Sequence, residues 1–449
     1  MKIKGEQNGA GKNPTEKGKF LKVIGRLVVP GAIGAAFLAG ILVQKKNLVG
    51  DYVFDSQFHS GRTALPSVWY AQDTGAAIKN WLAAPFRDRP PAVYVHIKHK
   101  NFQKLKFKQA QAMEGPVMMT SPADFVPAQL EYKGRMMRAD IRLKGDWTEH
   151  IHGNKWSYRV KLKDEATLHG TRVFSLHAPR HRNHLMEWLL HAALRREGLI
   201  ALRYRFHELF VNGESFGIYA FEEHFGKRLI ENNGRREGPI VKFDESDFWQ
   251  QFSDLGKWKE HFYGDGRSHM DFQSSLIDSF GTTRLMATPE GREAFAKAAT
   301  LLEAFRSEDL PASKVFDAQQ MAAYFAVVDL FGAWHAARWH NCRFYLNPIS
   351  GKLEPVAFDG NGGPTSYLSY ASKFPFTKLF FKDAQLARHY TASLEKISKV
   401  EYVEALLQDI APELSTNESY IQLDEPGYTF EPDVLRENAR LIREVLQPH

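Results

Sequence analysis

Apolar and polar residues alternate with a period of two in several short runs of the first half of the chain, the pattern of half-buried β-strands. Lys133-Gly134 and Asn212-Gly213 each separate two such runs, and Asn-Gly strongly favours a two-residue hairpin turn. We therefore predict a mostly antiparallel sheet within residues 91–243. Its strands are expected at 91–97, 128–132, 136–143, 156–162, 204–211 and 215–223.

The spacing of apolar residues becomes helical elsewhere. Helices are predicted over 74–83, 101–113, 185–196, 319–334 and 432–446. Residues 245–325 are mostly polar and helical, as expected of an insertion or a second lobe. A sheet followed by helices, with a short polar hairpin near residues 336–360, predicts an α+β fold.

The N-terminal part of the chain predicts a membrane anchor. Residues 1–26 carry seven basic and two acidic residues in a Gly/Asn-rich context, which is typical of a disordered tail. Residues 27–43 contain no charge and are just long enough to span a bilayer as a helix. The positive charge before them predicts a cytoplasmic N-terminus, a connector over 44–90 and an extracytoplasmic body. A cleaved signal peptide and a buried helix are the alternatives, but no Ala-x-Ala cleavage site follows the run.

Composition narrows the class of protein. The 449 residues are 43% hydrophobic, which is enough for two or three packed units. The net charge of +7 is spread along the chain, so we predict no nucleic-acid partner. Cys342 is the single cysteine, so an intrachain disulfide is excluded.

The candidate chemistry lies in residues 329–363. Asn341 stands at the start of a strand-like run, and Asp359-Gly360 ends the next one. A Mg²⁺–phosphate site takes one or two protein oxygens, and protein kinases use such an Asn and Asp-x-Gly pair. A capping role for Asn341 and a turn role for Asp359 are the structural alternatives.

Five segments together resemble the spore-coat CotH kinase family, an atypical protein-kinase-like group. Asn-Gly at 212–213 within a hairpin and the final Asp359 are the specific features. The segments are 141–145 (IRLKG), 155–162 (KWSYRVKL), 182–183 (RN), 211–223 (VNGESFGIYAFEE), and 341–345 taken with 358–360.

The resemblance implies a bilobal kinase-like fold with a sheet-rich lobe at 91–243 and a helix-rich lobe at 244–449. ATP and Mg²⁺ are the implied cofactors. Asn341 and Asp359 would bind the metal, and the nucleotide would be held by the side chains or backbone of Lys155, Lys161, Glu223 and Gly145. Lys155 and Lys161 alternate onto one strand face, so the choice between them stays open.

The family usually has an Asp in a Trp-Asp context shortly before the Asn, where this chain has Trp334-His335. Either His335 is the general base, since imidazole titrates near neutral pH, or ordinary kinase chemistry has been lost. Asp329 lies too far back on its helix to substitute. A transition-metal site of His335, His340 and Asp359 is a further alternative.

Taken together, these features predict a membrane-anchored bacterial protein kinase that acts on a protein substrate at the cell envelope. A non-catalytic assembly protein that keeps the kinase fold is the alternative. A transferase acting on an envelope polysaccharide is a third hypothesis.

Overall fold

The computed structural model describes residues 74–255 and 271–447. The predicted tail at 1–26, the predicted membrane segment at 27–43 and the first part of the connector lie outside these ranges. Within them, no helix has the length and apolar character needed to cross a bilayer.

A closed barrel of seven strands forms the first part of the described chain. Its strands follow the order β1-β2-β3-β4-β5-β7-β6, and β1 closes the barrel by pairing in parallel with β6, while all other neighbours are antiparallel. The strands are β1 (Ala92–His96), β2 (Val126–Tyr132), β3 (Arg135–Leu143), β4 (Tyr158–Leu162), β5 (Val173–His177), β6 (Tyr204–Val211) and β7 (Glu214–Glu223).

Alternate apolar side chains along the strands fill the interior of the barrel. Leu130, Ile141, Val160, Phe174 and Phe221 face inward and are fully or almost fully buried. The neighbouring residue on each strand therefore faces outward. The predicted strands are confirmed, but β5 (VFSLH) was missed because four of its five residues are buried, so its apolar and polar residues do not alternate.

A second sheet of four strands follows, in the order β11-β10-β8-β9. It contains β8 (Ile240–Phe243), β9 (Ile277–Ser279), β10 (Arg343–Leu346) and β11 (Leu353–Val356). Residues 240–243, which the sequence assigned to the first lobe, thus pair with the strand that follows Asn341.

Helices surround the second sheet and one flank of the barrel. They are α1 (Thr74–Ala83), α2 (His99–Met113), α3 (Met186–Arg196), α4 (Lys227–Asn232), α5 (Ser246–Leu255), α6 (Thr282–Leu285), α7 (Pro289–Arg306), α8 (Ala312–Val315), α9 (Ala318–Leu330), α10 (Pro375–Phe380), α11 (Ala384–Ile397), α12 (Val400–Asp424) and α13 (Asp433–Leu446). Helix α9 is apolar on nearly every side and packs against α11, α3 and α13 in the larger core. The mixed α/β architecture is consistent with the expected kinase-like fold.

One row of outward-facing residues runs across four neighbouring strands of the barrel. Arg142 of β3 lies opposite Arg159 of β4, Arg159 opposite Ser175 of β5, and Ser175 opposite Glu222 of β7. Residues directly opposite each other share a face of the sheet. The row therefore brings two arginines and a carboxylate onto the same outer surface.

Candidate functional site

The loop after β11 has an unusual backbone. Asp359 and Asn361 have φ values of 58° and 46°, in the left-handed region, which Asp and Asn tolerate better than most residues. The fully buried carboxylate of Glu187 on α3 accepts the backbone N–H groups of Asp359 and Gly360 at 3.0 and 2.9 Å. Helix α3 thus holds the loop in this conformation.

The carboxylate of Asp359 is held through one of its two oxygens. Arg182 Nη1 lies 3.0 Å from Oδ1, and the Asn361 side chain donates a hydrogen bond of 3.0 Å to the same atom. Burial alone would raise the pKa of Asp359, but Arg182, and after it His335, hold that pKa well below its usual range. Asp359 is therefore ionised at neutral pH.

His335 and Asn341 lie next to this carboxylate, so the three residues predicted for the catalytic and metal site come together. His335 Nδ1 is 2.9 Å from the carbonyl oxygen of Asp359 and 3.5 Å from its Oδ1, two acceptors for a proton carried on Nδ1. Asn341 Nδ2 lies 3.0 Å from His335 Nδ1 and donates a hydrogen bond to the His335 carbonyl oxygen at 3.1 Å. We call Arg182, His335, Asn341 and Asp359 the Asp359 cluster.

A buried ion pair lies beside the Asp359 cluster. Lys144 Nζ is 3.3 Å from Glu222 Oε2, and the two residues are only 6% and 1% exposed. Burial, opposed by Glu222, lowers the pKa of Lys144 to about 8. Burial raises the pKa of Glu222, but Lys144 and then Arg182 outweigh it and lower that pKa to about 2. Arg182 Nε is 3.7 Å from Glu222 Oε1, so Arg182 joins the pair to the Asp359 cluster.

We call the region between the Lys144–Glu222 pair and the Asp359 cluster the cleft, and Asp146, two residues after Lys144, is exposed. Enclosure by the surrounding protein raises its pKa, and the negative charges of Glu245 and Asp359 add to the effect.

Two of the predicted nucleotide-binding residues have other partners. Lys155 pairs with Asp424 at the end of α12. Glu223 binds Arg203 through both carboxylate oxygens, at 2.6 and 2.9 Å. Because side chains alternate along β7, it is Glu222 that faces the cleft.

The other two predicted residues lie near the cleft in different roles. Lys161 is exposed on the outer face of β4, with Nζ 4.1 Å from the centre of the Phe125 ring. Gly145 has φ of 121°, and a Cβ there would collide with the His150 side chain. Gly145 therefore allows the close turn that follows Lys144.

Sequence reasoning missed Lys144, Glu222 and Arg182, although each lay within a segment quoted for the resemblance. Lys144 immediately precedes Gly145, and Arg182 precedes Asn183. No sequence pattern separated Glu222 from Glu223, because the residues just before them on β7 are apolar without alternation. In the structure Phe221 faces inward, which places its neighbour Glu222 outside the barrel.

The oxygen atoms left over in the Asp359 cluster suit a hard cation. Asp359 Oδ2 and Asn341 Oδ1 accept no hydrogen bond from any described residue, and Mg²⁺ prefers carboxylate and amide oxygens. Nearby, Glu222 Oε1, Arg182 Nε and His177 Nε2 are buried without a hydrogen-bond partner. A buried polar atom in this state calls for an explanation, and a bound ligand is one such explanation. The residues therefore fit a bound cation and phosphate.

The alternative transition-metal site gains no support. The rings of His335 and His340 are 6.0 Å apart, and over residues 74–255 and 271–447 no three His, Cys, Asp or Glu side chains converge as a metal-binding group.

The comparisons with known proteins agree with the geometry. A family model described as CotH kinase protein matches residues 141–387, which is more than half of the chain. No curated protein matches the chain. The matched region begins on β3, ends in α11 and contains the Lys144–Glu222 pair and the whole Asp359 cluster. The chain therefore belongs to the CotH kinase protein family.

Proposed function

We propose that the chain is an atypical protein kinase that transfers the γ-phosphoryl group of ATP to a protein hydroxyl group outside the cytoplasmic membrane. The observation that carries this proposal is the position of Arg182, which contacts Asp359 at 3.0 Å and approaches Glu222 at 3.7 Å. One arginine thereby brings a buried lysine–glutamate pair and a candidate metal ligand into a single cleft.

The Asp359 cluster is proposed to hold Mg²⁺ through Asp359 Oδ2 and Asn341 Oδ1. When bound, Mg²⁺ would neutralise the charge of the nucleotide phosphates. Lys144 would bind those phosphates as a point charge, with Glu222 fixing its ammonium group. Glu187 would act through Asp359 by holding its backbone.

His335 is proposed as the group that takes the proton of the acceptor hydroxyl. In the tautomer that carries its proton on Nδ1 and donates it to Asp359, the atom left to accept a proton is Nε2. The side chain is 27% exposed, so an acceptor can reach it from solvent.

We extend the proposal to the arrangement of the whole chain. The barrel and the part of the chain that follows from β8 onward act as two lobes, with the nucleotide between them, and residues 27–43 anchor the protein so that the lobes reach a protein substrate at the cell envelope. Protease added to intact spheroplasts would then digest residues 60–449; full protection would reject this orientation.

The test of catalysis uses purified full-length protein with Mg²⁺, labelled ATP and envelope proteins as acceptors. Asp359→Asn is expected to lower label transfer by about 100-fold, because it removes the charge that binds the metal. Asp164→Asn is the matched control, since Asp164 is also an aspartate with positive φ, at 54°, but pairs with Arg138 on the surface. Equal transfer by Asp359→Asn and the wild type would end the proposal.

A non-catalytic kinase-fold protein of the envelope is the second candidate. One contact favours it, because Arg182 already neutralises the carboxylate of Asp359 through Oδ1, next to the oxygen proposed for the metal. Nucleotide binding separates the candidates, since ATP at 100 times its Kd stabilises a fold by about 2.7 kcal/mol. A raised Tm with transfer supports the kinase, whereas an unchanged Tm without transfer supports the second candidate.

A further inference from the structure

Three cationic side chains share the outer face of the barrel next to the cleft. Arg142 and Arg159 lie directly opposite each other on β3 and β4. Lys161 is two residues beyond Arg159, so it emerges on the same face. None of the three has been assigned to the Lys144–Glu222 pair or to the Asp359 cluster.

Phe125 packs between two of these cations. Its ring centre is 5.3 Å from the Arg142 guanidinium and 4.1 Å from Lys161 Nζ. Cations at these distances are attracted to the face of an aromatic ring. The ring thus holds the positive groups near one another without neutralising them.

Carboxylates offset these cations only in part: Asp140 lies opposite Lys161, and Glu222 and Asp146 oppose the lowering of the Arg159 pKa. Arg142 donates a hydrogen bond to the Leu143 carbonyl oxygen, at 2.7 Å, and in residues 74–255 and 271–447 neither Arg159 nor Lys161 makes a hydrogen bond or ion pair. Burial, and after it the charge of Arg142, lowers the pKa of Arg159 to about 10. The pKa of Lys161 is lowered by burial, Arg142 and Arg159 in the same way. Mutually repelling cations are a common arrangement where an anion binds.

The position of the three side chains ties them to the cleft. Ser175 alone separates Arg159 from Glu222 in the cross-strand row. Two strand spacings amount to about 10 Å, so the two sites lie on one continuous surface.

We propose that Arg142, Arg159 and Lys161 form a phosphate-binding subsite beside the cleft. The guanidinium groups would bind phosphate oxygens through paired N–H donors, and the ammonium group of Lys161 would add charge. The phosphate comes either from the chain of the donor nucleotide or from a separate phosphate-bearing molecule. The first source rests on the function proposed above, and the second does not.

The experiment measures pyrophosphate binding to the full-length protein by calorimetry, without Mg²⁺. Arg159→Gln is expected to weaken binding by about tenfold or more, because it removes charge-assisted hydrogen bonds. Arg135→Gln is the matched control, since Arg135 is exposed at the start of β3 and its replacement makes the same change in net charge. Absence of pyrophosphate binding to the wild type, or equal affinity in Arg159→Gln, overturns the subsite.

A second measurement guards against a variant that merely unfolds. Neutralising one of several repelling cations should leave the ligand-free Tm of Arg159→Gln unchanged or raise it. Weaker binding with a lowered Tm would contradict the subsite, because it would assign Arg159 to holding the fold.

Competition then distinguishes the two sources. If saturating ATP displaces pyrophosphate in the wild type, the subsite binds the phosphate chain of the donor. If pyrophosphate binds equally with and without ATP, the subsite serves a separate phosphate-bearing ligand. Both results leave the subsite standing, and neither requires phosphoryl transfer, so a failed transfer assay does not affect them.

Discussion

The ammonium group of Lys144 experiences opposing influences at the scale of a single residue. Burial favours its neutral form, and Arg182 and Arg159 act in the same direction, while Glu222 favours the charged form. With the pKa at about 8, the charge that would bind phosphate is lost just above neutral pH. Because the folded protein holds this proton less tightly than free lysine does, the contribution of Lys144 to stability increases as pH rises from about 8 toward 10.5.

We therefore predict that ATP affinity falls by about tenfold between pH 7 and pH 9 as Lys144 loses its proton. Lys144→Arg should flatten this dependence, since arginine stays charged throughout the range. Titrations of ATP in buffers of equal ionic strength measure both profiles. A wild-type affinity that is constant from pH 7 to pH 9 would contradict the assignment of Lys144 to the phosphates.

The sequence was sufficient to predict Asn341, His335 and Asp359 as site residues, because their residue types and their positions next to two short strands match those of a metal and phosphate site. It was insufficient to choose between Glu222 and Glu223, because a shift of one residue reverses the face of a strand. The pairing of Lys155 was hidden for a related reason: its partner Asp424 lies 269 residues away along the chain. No local pattern reports such a contact.

At the scale of elements, the end of α12 is fastened to the barrel. Asp424 accepts the backbone N–H of Ile218 on β7, at 2.7 Å, and pairs with Lys155 at the start of the β4 segment. Gly217 has φ of 77° and no side chain, which lets the Asp424 carboxylate approach the strand. These contacts of Asp424 with Ile218 and Lys155 give Lys155 a structural role.

Asp424→Ala is expected to lower the free energy of unfolding by about 2 kcal/mol, because it leaves Lys155 and the Ile218 N–H without their acceptor. ATP affinity should stay unchanged. Asp409→Ala is the control on the same helix, where an exposed pair with Arg196 contributes little. Denaturant unfolding and ATP titration of both variants measure the effects. A loss of ATP binding without a loss of stability would return Lys155 to the nucleotide site.

At the scale of the whole molecule, the closed barrel was beyond the reach of the sequence. Alternation identified most of its strands, but pairing β1 in parallel with β6 joins segments more than a hundred residues apart. The same limit applies to β8, whose partner β10 lies far along the chain. Period and turn residues report what a segment forms, whereas the partner depends on which apolar faces pack together.

Buried histidines predict how the whole fold responds to acid. Burial lowers the pKa of His177 to about 3 and that of His207 to about 4, against about 6.5 in an unfolded chain. The unfolded chain therefore binds more protons below pH 6.5, so stability is complete above that pH and falls as pH decreases toward 4.

Melting curves between pH 7 and pH 4 measure this effect, and Tm should fall throughout the acid range. His207→Asn should reduce the slope, because asparagine can still donate to the Pro91 carbonyl oxygen but binds no proton. Replacing the exposed His99 by asparagine should leave the slope as it is. If the Tm of His207→Asn falls with decreasing pH as steeply as that of the wild type, the loss of stability in acid does not come from this buried histidine.

The parallel contact between β1 and β6 also limits how the cleft can open. A sheet with free edges can bend or splay, but a wall closed on itself resists shear, so the barrel has to move as a rigid body. Opening would then be absorbed by the segments at 178–185, 197–203 and 224–239, which join the barrel to α3 and β8. Those segments are therefore the expected hinges, and substitutions in 197–203 and 224–239, which contain no residue of the Asp359 cluster, should alter how fast a ligand enters and leaves.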